Sequence, residues 1–521
     1  MKENLDIDAV IVGSGAAGSL MACRLAEAGK RVVILEAGPA RGLGDLTSSQ
    51  IWARRLKWGG APVLESGSHT IGHGFNNGYG TGGAAMHHFG VWPRLHEDDF
   101  RMQSSFNLAS DWPISYAELR PWYDKIQDEV GVSGDHEQEK WRPPGAAYNQ
   151  SPVPVFAQGK LIAQGFQKRG MSTAPIPLAV LTRPVENREA CIWDGWCDAG
   201  CPNGALANPL VTYLPRAIAA GARLYNDATV VAISTNAKKT RSTGVVYKDR
   251  YGKNRRVTAS MVVVAASTIQ NSRLLLASGD TDSGGLANSS GTLGSRVMIH
   301  LALPVYGMFA ERTDCHLGAT GGQLINQDGY KKQVEGKPFG SYQWLIANAM
   351  KPNDLLGIGM SRVDLHGPRL NAFMEKAARH FAMMTGVVET LPDAANRVTL
   401  SEQTDQFGMP LAAVAHTANE QSVALWQHAK NEGVDVMSAA GAEEAWAGNI
   451  GPMHIMGGTA MGTDPADSVT NSYGQCHGLS NLVVAGASLF PTSGGVNPTF
   501  TINALTARSA DHLLANWNQI A

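Results

Sequence analysis

Asp8-Ala9-Val10-Ile11-Val12-Gly13-Ser14-Gly15-Ala16-Ala17-Gly18, followed by a helical pattern over Ser19 to Ala28 and a second apolar run over Arg31 to Leu35 that ends at Glu36, is the stretch that decides the fold. It is a strand, a G-x-G-x-x-G turn, a helix, a strand and an acid, the layout of a dinucleotide site. Gly13 allows the tight turn, Gly15 lets a pyrophosphate approach the helix N-terminus, and Gly18 lets helix and strand pack closely. Glu36 is placed to accept from a ribose hydroxyl. The glycine pattern alone is weak evidence; the flanking strands and the acid at the right distance make it specific. The expected class is α/β.

The rest of the chain says which dinucleotide. A nicotinamide-binding unit continues in regular alternation of strand and helix. Here Ala37-Gly38-Pro39 opens a Gly-, Ser- and His-rich passage from about residue 40 to 95, and loops of that length are usually functional. Its centre, Gly78 to His88, suits a backbone wrapped against a flat cofactor. A helical pattern follows from Asp99 to about Val130, with Ser115-Tyr116-Ala117-Glu118 as a capping box. A proline-rich connection covers 141–156. Short strands at 222–225, 229–234 and 243–248, a returning edge at 256–258 and a buried run at 261–266 read as a β-meander that rejoins the nucleotide-binding sheet, followed by a helix over Ile269 to Ala277. Leu482 to Ala487 is another buried strand and Thr501 to Leu514 a helix.

Composition excludes some functions. The chain has 521 residues, with 43 Lys and Arg against 45 Asp and Glu, so nothing electrostatic favours a nucleic acid or an anionic membrane. Charged residues are 17%, below the roughly 25% of an average soluble protein; either the interior is large or another subunit covers part of the surface. No apolar run approaches the ~20 residues of a membrane span. Met1 to Asp6 lacks the basic and apolar regions of a signal peptide, so the chain by itself reads as cytosolic. Of six cysteines, Cys191, Cys197 and Cys201 cluster while Cys23, Cys315 and Cys476 are scattered.

Two glycine-rich segments near the C-terminus carry the chemistry. His454-Ile455-Met456-Gly457-Gly458 offers an imidazole with a pKa near working pH, and Gly494-Gly495-Val496-Asn497-Pro498-Thr499 offers an amide on a second tight loop. They read as a catalytic base and its partner.

With Gly13 to Glu36, Gly82 to His88, His454 to Gly462 and Asn497-Pro498, the sequence resembles the glucose-methanol-choline family of FAD-dependent oxidoreductases. Its cysteine cluster is most similar to the flavoprotein subunit of bacterial membrane-associated fructose, glucose, sorbitol and gluconate dehydrogenases. The resemblance implies a Rossmann-like FAD-binding domain in pieces at 1–100, 206–300 and 451–521. Intervening helices and a cluster loop would occupy 101–205, and an inserted α+β substrate-binding cap 301–450. It implies His454 as the base, Asn497 as the group beside it on the substrate oxygen, and Gly82, Gly83, Gly486, Ala487, Pro498 and Thr499 as cofactor contacts. Alanines 84 and 85 stand where most members have hydroxyl residues. His87 stands where choline and pyranose oxidases bond the flavin covalently, so the same link is an expectation here.

The spacing C-x5-C-x3-C supplies three soft thiolates on one loop. Three ligands suit a [3Fe-4S] cluster; zinc would want a fourth, for which a histidine or Asp198 could serve, a disulfide would leave one cysteine odd, and unligated cysteines are the remaining alternative. Relatives often carry two adjacent cysteines at the first position, whereas Ile192 follows Cys191. A cluster implies a dehydrogenase that oxidises a hydroxyl of a sugar, glycoside, polyol or aldonate and delivers electrons to a cytochrome c. A signal-bearing helper subunit would carry such an enzyme to the periplasm. The alternatives are an oxidase of the same fold, a non-redox flavin lyase, and a non-catalytic electron-transfer subunit. Tyr342, Trp344 and His416 are candidates to line a sugar site, against the alternative that they are core or surface residues.

Overall fold

The computed structural model describes residues 7–279 and 284–521; the reading of Met1 to Asp6 falls outside them. The first sheet has eight strands. Ile7–Val12 lies at its centre, paired in parallel with Val32–Leu35 on one side and with Met261 to Val264 on the other. Leu479–Val484 and Arg223–Tyr225 extend the parallel order outward. These strands are continuous runs of Val and Ile because both faces of a parallel sheet are covered. The helices Ala16–Glu27 and Thr499–Ala515 pack together over the sheet.

The expected meander is present, and its last two pieces are one strand. Asn254–Val264 pairs antiparallel with Ser242–Lys248 through its polar first half and enters the parallel sheet through its apolar second half. Two sequence patterns in one strand record the change from an exposed ribbon to a strand buried on both faces.

A second sheet of seven strands is antiparallel at every pairing. Met298–Met308 is its organising strand, with Phe381–Val388 on one side and both Glu444–Ala447 and Gly451–Met456 on the other. Tyr342–Ile346 and Leu324–Asn326 continue it to Ala174–Pro175. The 20-residue helix Glu420–Ala439 lies against Met298–Met308. A three-stranded sheet joins Val63–Ser66, from the long passage after Glu36, to the hairpin Arg397–Thr404 and Pro410–Ala415. The capping box at Ser115 and Glu118 forms as read, at the start of helix Tyr116–Val130. Among the described residues no helix is long and apolar enough to cross a membrane.

The Gly13 to Gly18 turn is steric in origin. Gly13 has φ +100°, and a Cβ there would lie 2.4 Å from the Ala265 carbonyl oxygen; a Cβ on Gly18 would lie 2.1 Å from the Gly13 carbonyl oxygen. Both obstacles are backbone and cannot swing away. Gly18→Ala should therefore cost about 2 kcal/mol or more and lower the melting temperature. Gly29→Ala, where nothing lies within 4 Å of the new Cβ, should cost only the ~1 kcal/mol of a positive φ. Equal melting temperatures for the two variants would contradict this account.

Candidate active site

A cavity of about 670 Å³ runs between the two large sheets. Gly13, Gly15, Glu36, Gly83, His87, His454, Gly486, Ala487, Asn497, Pro498 and Thr499 all line it, so the sequence-predicted residues from both ends of the chain meet in one space. Gly18 and Gly82 act from behind the wall. The Gly82 N–H donates to Ser14 Oγ at 3.1 Å, and its φ of +92° turns the chain into the 3-10 turn Gly83–Met86.

The residues fit an ADP-bearing cofactor. The helix Ala16–Glu27 starts at Gly15 with no side-chain cap, leaving its first N–H groups free for a phosphate. A Cβ at Gly15 would have no neighbour nearer than 3.9 Å and one at Gly486 none within 4 Å, although both residues line the cavity; side chains there would project into ligand space. Glu36 does more than the sequence suggests. Its Oε2 accepts from Ser14 N at 3.0 Å and Ser14 Oγ at 2.7 Å, and its Oε1 from Gly38 N at 3.0 Å and Gly80 N at 3.3 Å. The carboxylate ties three loops together, and a ribose hydroxyl reaching it has to displace one of these donors. Burial pushes its pKa up against the pull of those four bonds.

His87 is buried and its ring Nε2 lies 2.7 Å from the Asn77 carbonyl, to which it donates. The lone pair is thereby left on Nδ1, and burial pushes the pKa down to about 3, so the ring is neutral.

The reacting end is built by two strands and a loop. Gly451–Met456 pairs antiparallel with Met298–Met308, and the register breaks between Met453 and Met456. His454 sits in that irregularity with φ +56°; a bulge of this kind re-aims a side chain. Its Nε2 lies 3.2 Å from Asn497 Nδ2 and its Nδ1 lies 2.9 Å from Nδ1 of His300. Burial, then the neighbouring His300, hold the His454 pKa well below the ordinary histidine value. The ring is therefore an unprotonated base at neutral pH.

Sequence reasoning missed His300, Gln343 and Gln327. Each is a buried polar residue at the edge of or inside an apolar strand pattern, and that was the available signal. It did name Tyr342, Trp344 and His416, and the structure moves all three away from the cavity. Tyr342 and Trp344 are core residues whose polar atoms donate to Glu432 at 3.0 Å, and the His416 ring bonds the His69 carbonyl. Strand alternation explains the error: Tyr342 and Trp344 face one side of the sheet, and Gln343 between them faces the other, where its Nε2 donates to Asn497 Oδ1 at 3.0 Å.

The loop carrying Asn497 is held by buried charge. Lys332 Nζ contacts Asp99 at 2.7 Å and Glu389 at 2.8 Å. Tyr330 Oη donates to Asp99 at 2.6 Å and accepts from Gly495 N at 3.1 Å.

Cys191, Cys197 and Cys201 stand close enough to raise one another's pKa, with burial the larger cause; Cys201 is pushed up to about 12. They are outside the cavity wall. Backbone N–H groups point at two of the sulfurs, Trp193 N to Cys191 at 3.4 Å and Leu206 N to Cys201 at 3.3 Å. Among the described residues no trio of His, Cys, Asp or Glu converges tightly enough for a single metal ion.

Residues 7–302 match the N-terminal domain of GMC oxidoreductases and residues 392–506 the C-terminal domain. The chain belongs to the GMC oxidoreductase family. It is an FAD-dependent oxidoreductase with the α/β fold of that family. Among its relatives, 2-methyl-1,2-propanediol dehydrogenase of Mycolicibacterium austroafricanum is 32% identical over 98% of this chain and 96% of its own. The fructose dehydrogenase large subunit of Gluconobacter japonicus is 29% identical over 99% of both. In the solved structures, formate oxidase of Aspergillus oryzae RIB40 superposes with a TM-score of 0.70 over the full length of both chains at 15% identity, a likeness of fold.

The neutral imidazoles make stability pH-dependent. His87, His88 and His300 have folded pKa values of about 3, 4 and 4, against about 6.5 unfolded. The unfolded chain binds more protons between those values, so stability is full above pH 6.5 and falls as pH drops toward 4. The three together should lose on the order of 4 kcal/mol per pH unit in that window, read as a steep fall in melting temperature from pH 6.5 to 5. A flat profile there would contradict the burial of neutral rings.

Proposed function

We propose that this enzyme oxidises a hydroxyl of a sugar, glycoside, polyol or aldonate, with His454 as the base and Asn497 as the group that holds the substrate oxygen. The observation that carries the reading is the 3.2 Å approach of Asn497 Nδ2 to His454 Nε2 at the wall of the cofactor cavity. A hydroxyl oxygen set beside both nitrogens, in place of their direct contact, donates to the imidazole and accepts from the amide. Bound FAD supplies the hydride acceptor. The low pKa of His454 keeps its lone pair available at neutral pH, and its removal of the hydroxyl proton raises the hydride-donating power of the same carbon. Relatives named for fructose, gluconate and 2-methyl-1,2-propanediol support hydroxyl-bearing substrates.

In the same reading Cys191, Cys197 and Cys201 hold a [3Fe-4S] cluster, which supplies one-electron transfer to an acceptor other than oxygen. Three thiols and two N–H donors aimed at sulfur support it, since iron draws thiols into thiolates and N–H groups stabilise cluster charge. The acceptor is a cytochrome c subunit. A signal-bearing helper subunit carries the enzyme to the periplasm; the name of the fructose dehydrogenase large subunit supports only that such a relative has a further subunit. The neutral His87, with its lone pair on Nδ1, is the candidate for a covalent bond to the flavin.

His454→Ala should lower turnover by ~10²-fold or more with FAD still bound; unchanged turnover of fructose, gluconate or 2-methyl-1,2-propanediol with a dye acceptor would refute the base. Anaerobically purified protein should carry about three iron atoms per chain and lose them in Cys201→Ala while keeping flavin. Iron-free protein that reduces oxygen faster than dye would support the oxidase reading. Acid precipitation should leave yellow flavin on the protein, and its complete release would dismiss the His87 bond.

A further inference from the structure

Resting on the assignment of His454 as base, we propose that His300 is a positioning residue: it holds His454 in the tautomer protonated on Nδ1, so that the Nε2 lone pair is the one presented beside Asn497 and the cavity.

The argument is one of donor and acceptor parity. The Gly494 carbonyl can only accept, and His300 Nε2 lies 2.7 Å from it, so Nε2 of His300 carries the proton. His300 is neutral, since burial lowers its pKa to about 4. A neutral imidazole protonated on Nε2 has a bare Nδ1. That Nδ1 lies 2.9 Å from Nδ1 of His454, and two bare nitrogens at that distance would repel. His454 must therefore donate from Nδ1, which leaves its Nε2 unprotonated. The other flank agrees independently. Gln343 Nε2 donates to Asn497 Oδ1 at 3.0 Å, which turns the Asn497 amide so that Nδ2 faces His454 Nε2. Gln343 is itself oriented by Gln327, whose Nε2 donates to Gln343 Oε1 at 2.9 Å, and Gln327 Oε1 lies 3.3 Å from His96 Nε2. Every hydrogen bond from His96 to Gly494 points the same way.

The arrangement also bears on the proton. With substrate bound, the proton of its O–H bond would form an N–H bond at His454 Nε2, the bound FAD supplying the hydride acceptor. The imidazolium then donates from Nδ1 to an uncharged His300 Nδ1, a charge-assisted bond stronger than the neutral one before it. Shared across that bond, the proton stops at His300, because the far nitrogen faces a carbonyl. The charged groups nearest His300, Asp99 and Lys332, are paired with each other, so they do not compete for the pair.

The test compares His300→Asn, His300→Gln, His300→Leu and His454→Ala in FAD-loaded enzyme, with fructose, gluconate and 2-methyl-1,2-propanediol as reductants of the flavin. Asn places a carbonyl oxygen near the Nδ1 position of the lost ring and should stay within ~10-fold of wild type. Gln reaches toward Gly494, and Leu offers no acceptor; both should lose on the order of 10²-fold in flavin reduction with KM little changed. His300→Leu combined with His454→Ala should be no slower than His454→Ala alone. If His300→Leu does not fold, the order of Asn above Gln decides the matter. Independently of any substrate, NMR of ¹⁵N-histidine-labelled enzyme should show His454, identified by its absence in His454→Ala, protonated on Nδ1. Protonation on Nε2, Gln as active as Asn, or additive losses would overturn the proposal. Full activity in His454→Ala would instead overturn the assignment of the base.

Discussion

The site depends on one break in register, between Met453 and Met456, where Gly451–Met456 leaves its pairing with Met298–Met308. Before the break the chain belongs to the second sheet; just after it, Gly457 N donates to the Ala487 carbonyl and Thr459 N to that of Ser488, both next to the nucleotide-binding sheet. His454 sits at the crossing. Its positive φ costs about 1 kcal/mol for a non-glycine residue, and the side chain is aimed into the space between the sheets as a result. Gly457 follows with φ +80° and a Cβ position 2.1 Å from the Arg296 carbonyl oxygen, so the chain can leave the bulge in only one direction. The His454 ring, the cofactor wall and the sheet pairing are fixed by the same few residues.

What could be read in the sequence was whatever its local backbone rules determine. The turn from Gly13 to Gly18 is local: a strand, a helix and three glycines whose missing side chains have identifiable obstacles. The capping box at Ser115 is local in the same sense. The pair His454 and Asn497 stood out because each sits among glycines. His300 and Gln343 were not visible because the site residues they bond, His454 and Asn497, lie more than a hundred residues away and each appears in its own strand as one polar letter among apolar ones. Tyr342 and Trp344 drew attention by size and polarity, yet a strand turns adjacent residues to opposite faces, and the useful residue was the one between them. Glu36 was read as a ligand for ribose, whereas its geometry makes it first a tie between Ser14, Gly38 and Gly80.

Buried polarity in this molecule is divided by charge. Lys332, Asp99 and Glu389 form a compensated ionic group behind the loop of Asn497, where removing one partner would leave an unpaired buried charge at a cost of ~3–5 kcal/mol. The residues in direct line with His454 are neutral: an imidazole, three amides and a backbone carbonyl. A carboxylate in the place of His300 would also accept from Nδ1, but it would set a full charge against the His454 ring and hold a proton on it too firmly for release at neutral pH. A neutral acceptor gives direction without that penalty.

The same division explains why the cysteine loop stands apart. Three thiols at high pKa are uncharged, and converting them to thiolates needs a cation that would disturb any nearby titrating group. Gly200 in that loop lies against Leu46 and Met86, with a Cβ position 3.0 Å from Leu46 and 3.3 Å from the Met86 methyl, and Met86 ends the turn that begins at Gly83 on the cavity wall. Leu46 and Met86 thus pack the cysteine loop onto the wall of cofactor space. A polar route joins the same two regions: Asn348, which lines the cavity, donates to the Thr320 carbonyl, and the Thr320 hydroxyl donates to the Gly195 carbonyl in the cysteine loop.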